Sequence, residues 1–130
     1  PEEIRAGLAR FESERKKQMN EKVVKHKAIC DELNKLYERK NHDYGDSFHQ
    51  TFVEEGLAMT RIRLGDKFSR FKTLSRLLEA GTEGQQVTDE SIRDTLMDLA
   101  NYSLMTILEM DEANARPGES FLVLYKSADD

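Results

Sequence analysis

The stretch ESIRDTLMDLANYSLMTIL, residues 90–108, decides the fold because its apolar residues recur at helical spacing around most of the circumference. Two adjoining faces carry no charge, and they consist of Ile92, Leu96, Leu99, Ala100, Ser103 and Ile107 on one side and Met97, Leu104 and Leu108 on the other. Thr88 is a suitable N-cap, and the acidic residues after it complement the helix dipole. The sequence therefore predicts a largely buried helix from about residue 88 to residue 112.

A row of carboxylates interrupts this apolar surface. Glu90, Asp94 and Asp98 follow one another at a spacing of four, so they stand above one another on one helix face. Sheltered like charges need a nearby cation. One candidate is Mg²⁺ or Mn²⁺, which prefers oxygen ligands. The alternative is a structural network of ion pairs with Lys67 and Arg70 of the preceding helical segment, and the spacing alone does not choose between the two.

The rest of the chain also shows helical periodicity, apart from one irregular stretch. Residues 3–39 form either one long helix with an exposed polar middle or two helices in succession. Residues 40–52 break the pattern with turn-forming residues, and Gly45 and Gly56 bracket a segment that suits one short helical turn. Residues 57–80 form a second main helix, which Gly81 ends as a C-cap.

These segments predict an all-α helical bundle with a long N-terminal helix, in a single domain of residues 1–130. Residues 1–20 form an N-terminal arm with an apolar stripe that it cannot bury alone, and such arms often pack on another subunit. Residues 117–130 contain the apolar run FLVLY and are interpreted as a short extended tail. Cys30 falls in an apolar helical pattern and is predicted to be part of the core.

Composition limits the classes of function. The net charge is -5, which argues against broad, nonspecific nucleic-acid binding. No apolar run approaches the roughly 20 residues that span a bilayer, and the charged N-terminus is unlike a signal peptide. We therefore expect no membrane insertion and a cytoplasmic location. Because Cys30 is the single cysteine, an intramolecular disulfide and a cysteine-based zinc site are excluded.

Residues 40–48 are a second candidate site, since they combine a cation, carboxylates, an aromatic ring and a glycine. Lys40 is a candidate phosphate ligand, and Tyr44 is a candidate stacking partner for a base. The alternative is an ordinary connection between helices, because Asn, Asp and Gly are common there. His42 and His49 do not have a recognisable zinc spacing, so the sequence disfavours a histidine metal site.

Basic residues of the second main helix are a third candidate. Most of this cluster is interpreted as a solvated face, and its members are Arg61, Arg63, Lys67, Arg70, Lys72 and Arg76. Arg63, Lys67 and Arg70 lie nearest to the apolar face. They are candidate phosphate ligands or partners of acidic residues.

Three blocks of sequence together resemble a known family. They are KNHDYG at 40–45, RIRLGDKFSR at 61–70 and ESIRDTLMDLANY at 90–102. They resemble the phage and bacterial nucleotide modification associated domain, the first of that name, over roughly residues 30–110. That family in turn resembles the all-α nucleoside triphosphate pyrophosphohydrolases of the MazG type. The resemblance implies a helical bundle that assembles as a dimer or tetramer.

The resemblance also implies Mg²⁺-dependent hydrolysis between the α and β phosphates of a (deoxy)nucleoside triphosphate. Asp98 matches the aspartate of the MazG-type ExxD motif, although Thr95 stands where that motif has Glu. The EExxE motif of the preceding helix is missing, and Asp66 lies where it is expected. We therefore predict Asp94 and Asp98, with Glu90 or Asp66, as metal ligands, and Asp94, Asp98 and Glu90 as catalytic residues.

The remaining roles complete a nucleotide site. Lys67 and Arg70 would hold the phosphates, and Tyr44 with Asn101 would contact the base or sugar. Three functions stay open at this point. The first is a Mg²⁺-dependent (or Mn²⁺-dependent) pyrophosphohydrolase, the second a protein that binds or sequesters a nucleotide without turnover, and the third a structural or protein-interaction helical module.

Overall fold

The computed structural model describes residues 1–44, 46–81, 89–116 and 118. Within these residues the chain forms four α-helices, α1 (Glu2–Tyr44), α2 (Ser47–Glu55), α3 (Leu57–Ala80) and α4 (Asp89–Ala115), and no strand. The all-α fold and the long N-terminal helix are therefore confirmed. The predicted extended tail lies outside the described residues, except for Gly118. None of the described helices has the length and apolar character needed to cross a bilayer.

The chain divides into two compact units, Pro1–Arg39 and Lys40–Asp130. In the first unit, the predicted stripe of the N-terminal arm is open to solvent, with Ile4 67%, Leu8 57% and Phe11 64% exposed. Cys30 is also exposed, and its Sγ lies 3.7 Å from Nδ1 of His26. The prediction that Cys30 is core is wrong, because a helical stripe becomes core only where another segment covers it.

The segment predicted to be irregular is mostly helical. α1 continues to Tyr44, and α2 then occupies Ser47–Glu55, so residues 40–52 hold more than the single short turn that we expected. Gly56 has a φ of 63° and links α2 directly to α3. Gly81 has a φ of 60° and ends α3 in the left-handed conformation, with its N–H bonded to the carbonyl of Leu78. The predicted C-cap is thus confirmed.

The core of the second unit lies where α2, α3 and α4 meet. Phe52 is fully buried there, together with Met59 and Ala113, and Phe48 and Met110 pack against them. The Phe48 and Phe52 rings are stacked with their centroids 6.5 Å apart. Burial of one large aromatic side chain contributes a few kcal/mol, so this cluster fixes α2 against the two longer helices.

A buried polar contact joins the two longer helices. The Oγ1 atoms of Thr60 on α3 and Thr106 on α4 are 2.9 Å apart. Thr106 donates its hydroxyl hydrogen to the carbonyl of Tyr102 at 2.8 Å, so Thr60 is the donor to Thr106. Both threonines are more than nine-tenths buried. Because a buried hydroxyl needs a partner, this pair fixes the register of α3 against α4.

The faces of α4 differ from the prediction of a largely buried helix. Four of its aliphatic side chains are about half exposed, namely Leu96, Leu104, Ile107 and Leu108. The buried residues of α4 are Thr95, Met97, Asn101, Thr106 and Ala113. α2 and α3 cover one side of α4, and that side is rich in polar residues. Of the apolar residues that the sequence predicted to be core, Met97 is therefore buried, whereas these four aliphatic side chains face outward in the described part of the chain.

Candidate functional site

Asp98 lies in the middle of α4, where two lysines meet its carboxylate. Lys40 Nζ donates to Oδ1 at 3.3 Å, and Lys67 Nζ lies 3.0 Å from Oδ2. Each carboxylate oxygen therefore faces a different ammonium group. The Asp98 side chain is 23% exposed and that of Lys67 is 30% exposed, so this ion pair is sheltered but reachable from solvent.

Three helices bring this cluster together. Lys40 lies one turn before the end of α1, and Lys67 lies near the middle of α3. α3 packs along α4, which places Lys67 beside Asp98. The ion pair between Asp98 and Lys67 is the one that the sequence offered as an alternative to a metal. The sequence predicted Lys40 only as a phosphate ligand in a loop. In the structure Lys40 lies in α1, and its ammonium group contacts the Asp98 carboxylate as well.

The Lys40–Asp98–Lys67 cluster carries one excess positive charge, because two ammonium groups face a single carboxylate. Lys40 is the outer member, with 55% of its side chain exposed. Each ammonium has three hydrogens to donate, and the contact with Asp98 uses one of them. The cluster therefore offers further donors and a positive potential to an anion that approaches from solvent.

The other carboxylates of the predicted row do not join this cluster. Glu90 and Asp94 lie two turns and one turn before Asp98 on α4, and both are exposed. Asp66 precedes Lys67 on α3 and is also exposed. Among the described residues, the acidic groups of this row do not form a set with ligand atoms close enough to share an ion. Because lysines already face both oxygens of Asp98, this arrangement does not fit Mg²⁺.

The predicted substrate-binding residues have different environments. Arg70 is exposed and lies one turn after Lys67 on α3. Asn101 is buried and lies one turn after Asp98 on α4. Tyr44 is the last residue of α1, and its side chain lies outside what the structure describes. Arg70, Asn101 and Tyr44 are therefore near Lys67, Asp98 and Lys40 along their helices.

A second polar cluster, which the sequence did not predict, lies further along α4. His49 Nδ1 on α2 is 2.6 Å from Glu109 Oε2 on α4. Glu112 follows one turn later, and one ligand atom from each of these three residues falls within 4.8 Å of the other two. We call these residues the His49–Glu109–Glu112 cluster. It lies about 16 Å from Asp98 along the helix axis, since each residue of an α-helix advances 1.5 Å.

The electrostatics of this cluster favour a cation. The hydrogen bond with Glu109 raises the pKa of His49 above its usual value. The negative charges of Glu109, Asp46 and Glu112 act in the same direction, while partial burial of the imidazole acts against them. Glu109 is 12% exposed at its side chain, so its charge is sheltered. When it is protonated, the His49 imidazole is the cation that pairs with this carboxylate.

An aromatic contact lies between the two clusters. The Phe48 ring stacks on the ring of Tyr102, with centroids 6.2 Å apart. Phe48 precedes His49 on α2, and Tyr102 lies one turn after Asp98 on α4. The sequence missed the second cluster because α2 was interpreted as mostly irregular. The available signal was the spacing of three between Glu109 and Glu112, which places both carboxylates on one helix face.

Comparison with known families identifies residues 40–110 as matching the nucleotide modification associated domain 1. The match begins at Lys40, where the second structural unit begins, and it includes Lys67, Asp98, His49 and Glu109. Comparisons with curated proteins and with solved structures give no match. The matched segment covers more than half of the 130 residues. The chain belongs to the nucleotide modification associated domain 1 family.

Proposed function

We propose that this chain binds a nucleotide and that Lys40 and Lys67 hold its phosphate. The observation that carries the proposal is the convergence of these two ammonium groups on Asp98, at 3.3 and 3.0 Å. This convergence concentrates positive charge at one point of a protein with a net charge of -5. Lysine binds phosphate as a point charge, and the family to which the chain belongs is named for nucleotide modification.

Asp98 is a positioning residue in this proposal. Without a hydrogen-bond acceptor between them, the two lysines would repel each other and point into solvent. Asp98 holds both ammonium groups in place, and their remaining hydrogens bind the phosphate oxygens. Binding therefore does not require that either ion pair breaks, and the lysine side chains lose little further rotamer freedom.

Neighbouring residues supply the rest of the proposed site. Arg70 is exposed one turn after Lys67, and it would contact a second phosphate of a di- or triphosphate. Asn101, buried one turn after Asp98, and Tyr44, four residues after Lys40, would contact the sugar or base. Stacking on an aromatic ring tolerates every base, so Tyr44 would contribute affinity more than base selectivity.

A thermal-shift screen followed by calorimetry tests the proposal. The purified chain is mixed with NTPs and dNTPs in EDTA and, separately, in Mg²⁺. Binding to the folded state should raise the melting temperature in both conditions. Lys67→Gln should weaken binding about tenfold or more, because a hydrogen bond to a charged group contributes about 1.5–3 kcal/mol.

Lys72→Gln is the matched control for Lys67→Gln. It removes the same charge from the same helix, at an exposed lysine that lies over the Phe68 ring, 4.9 Å from the ring centroid. We expect its nucleotide affinity to stay near the wild-type value. Equal losses in the two variants would mean that only overall charge matters, and the absence of stabilisation by any nucleotide would count against the site itself.

Hydrolysis of a nucleoside triphosphate between its α and β phosphates, with Mg²⁺ or Mn²⁺, is the second candidate. It would use two exposed acids on α4, Glu90 and Asp94, which continue the row of Asp98. Metal binding there would require Asp98 to release at least one lysine. The test is product analysis over a dNTP panel with Mg²⁺: formation of monophosphate and pyrophosphate, lost in Asp98→Asn, would favour hydrolysis over binding alone.

We also propose that a second copy of the chain covers the apolar side of α4, as in a dimer or tetramer. Leu96, Leu104, Ile107 and Leu108 lie within roughly 120° of the helix circumference, and each is about half exposed. Monomeric proteins rarely expose large contiguous apolar patches. Assembly would bury this surface without disturbing the polar side that holds Asp98. Light scattering of the purified chain measures the mass that decides this point.

A further inference from the structure

We propose that His49, Glu109 and Glu112 form a binding site for a divalent first-row transition-metal ion. The inference does not rest on the proposed nucleotide site, which lies about 16 Å away along α4. One ligand atom from each of the three side chains already lies within 4.8 Å of the other two. In a tetrahedral site with bonds of about 2.1 Å, ligand atoms are about 3.4 Å apart, so small side-chain rotations suffice.

The donor set indicates which ions would bind. One imidazole nitrogen and two carboxylates suit Zn²⁺, Co²⁺ or Mn²⁺ better than Mg²⁺ or Ca²⁺, which prefer oxygen ligands alone. Histidine spacing along the sequence had disfavoured a histidine metal site. The structure changes that interpretation, because the partners of His49 are carboxylates from another helix and not a second histidine.

The backbone positions of the three ligands are fixed by the core. His49 follows Phe48, Glu109 precedes Met110, and Glu112 precedes the buried Ala113. The three neighbouring residues all belong to the apolar cluster around Phe52. Glu109 and Glu112 are also three residues apart on one helix, so their carboxylates share a face. The ligands therefore have little freedom to move apart, which favours metal binding over a fluctuating surface cluster.

Exchange of a proton for an ion is the chemical basis of the site. Without a metal, His49 Nδ1 and Glu109 Oε2 are joined at 2.6 Å through a shared hydrogen. An incoming divalent ion would release that hydrogen to solvent as a proton and bind both atoms, and Glu112 would be the third ligand. Three protein ligands leave at least one coordination position for water or an anion.

The experiment uses the full chain after treatment with EDTA and exhaustive dialysis. Isothermal titration with Zn²⁺, and separately with Mn²⁺, should show one ion bound per chain. Glu112→Gln should weaken Zn²⁺ binding by at least about tenfold, since loss of even an outer partner of a metal ligand commonly costs that much. Glu112 is exposed, so this variant should retain the wild-type melting temperature.

Asp111→Asn is the matched control. It removes one negative charge from the adjacent exposed position of the same helix, so it reports any general electrostatic effect. The proposal predicts near wild-type Zn²⁺ affinity for Asp111→Asn and for Lys67→Gln, and a large loss for Glu112→Gln and His49→Gln. Equal affinity of Glu112→Gln and Asp111→Asn, displacement of Zn²⁺ by equimolar Mg²⁺, or no binding by the wild type would each overturn it.

Discussion

The Asp98→Asn variant separates a phosphate site from a metal site, because the two predict opposite changes in nucleotide affinity. The substitution removes one negative charge and keeps the size of the side chain. Its amide oxygen can still accept a hydrogen bond from a lysine. Lys40 and Lys67 then present two positive charges instead of a net charge of one. If these lysines bind phosphate, nucleotide affinity should rise. If Asp98 is a metal ligand, Mg²⁺-dependent affinity and turnover should fall.

The expected magnitudes follow from the exposure of the groups. Two unit charges 4 Å apart in water interact by about 1 kcal/mol. Removing the repulsion between Asp98 and a bound phosphate should therefore tighten binding by about 1 kcal/mol, or roughly fivefold in Kd. Partly exposed ion pairs contribute about 0.2–1 kcal/mol each. Because Asp98 makes two of them, its loss should lower the free energy of unfolding by about 1 kcal/mol.

Calorimetry with a nucleoside triphosphate in EDTA, together with urea unfolding, measures both effects. Asp111→Asn serves as the control, because it makes the same charge change at an exposed position of α4. It should change neither Kd nor stability by more than a small amount. A tenfold or greater loss of metal-independent affinity in Asp98→Asn, with the fold intact, would refute the reasoning about the lysine pair.

Three further predictions concern other parts of the second unit. Thr106→Val leaves the buried Thr60 hydroxyl without its acceptor, so urea unfolding should show a free energy of unfolding lower by about 1–3 kcal/mol. The double substitution to Val at both positions should restore most of this loss. Ile107→Lys places a charge on the exposed apolar side of α4, so light scattering should show a lower mass than for the wild type; an unchanged mass would contradict assembly through that side. In EDTA, the stabilising effect of His49 relative to His49→Gln should be complete below about pH 6.5, the usual pKa of histidine, and should decline as pH rises through the raised pKa of the folded state. A difference in unfolding free energy that does not vary with pH would contradict this last prediction.

The sequence predicted the elements that depend on local signals. Helical periodicity and Gly81 were enough for α3, whose observed bounds Leu57–Ala80 match the predicted range. The long N-terminal helix was one of two interpretations, and the continuous α1 decides between them. α2 was underestimated, because residues common in turns also occur in helices when a residue such as Phe52 is buried by its neighbours. Such burial is a tertiary effect that local propensity does not contain.

The candidate site was predictable in its residue types but not in its pairings. Spacing placed Asp98 in an acidic row, yet it could not show that Lys40 from another helix reaches the same carboxylate. The sequence also could not show which side of α4 packs against the other helices. Apolar residues are expected to face inward, and that expectation assumes that the single chain contains the segment that covers them. For α4, that segment is not among the described residues, which is why we propose a second copy.

On the side of α4 that packs against α2 and α3, the residues that hold the helices together are also residues of the proposed binding sites. Its residues follow a spacing of three or four, and the row consists of Thr95, Asp98, Tyr102, Thr106, Glu109 and Ala113. Four of them have a specific partner on another helix: lysines for Asp98, Phe48 for Tyr102, Thr60 for Thr106 and His49 for Glu109. Within the described part of the chain, no buried side-chain nitrogen or oxygen lacks a partner. Polar contacts are directional, so a shift of α3 or α2 by one turn would break several of them at once, whereas an apolar interface would tolerate it. The residues proposed to bind phosphate and metal therefore also set the register of the helices, and any loss of binding in their variants has to be compared with a measured change in stability.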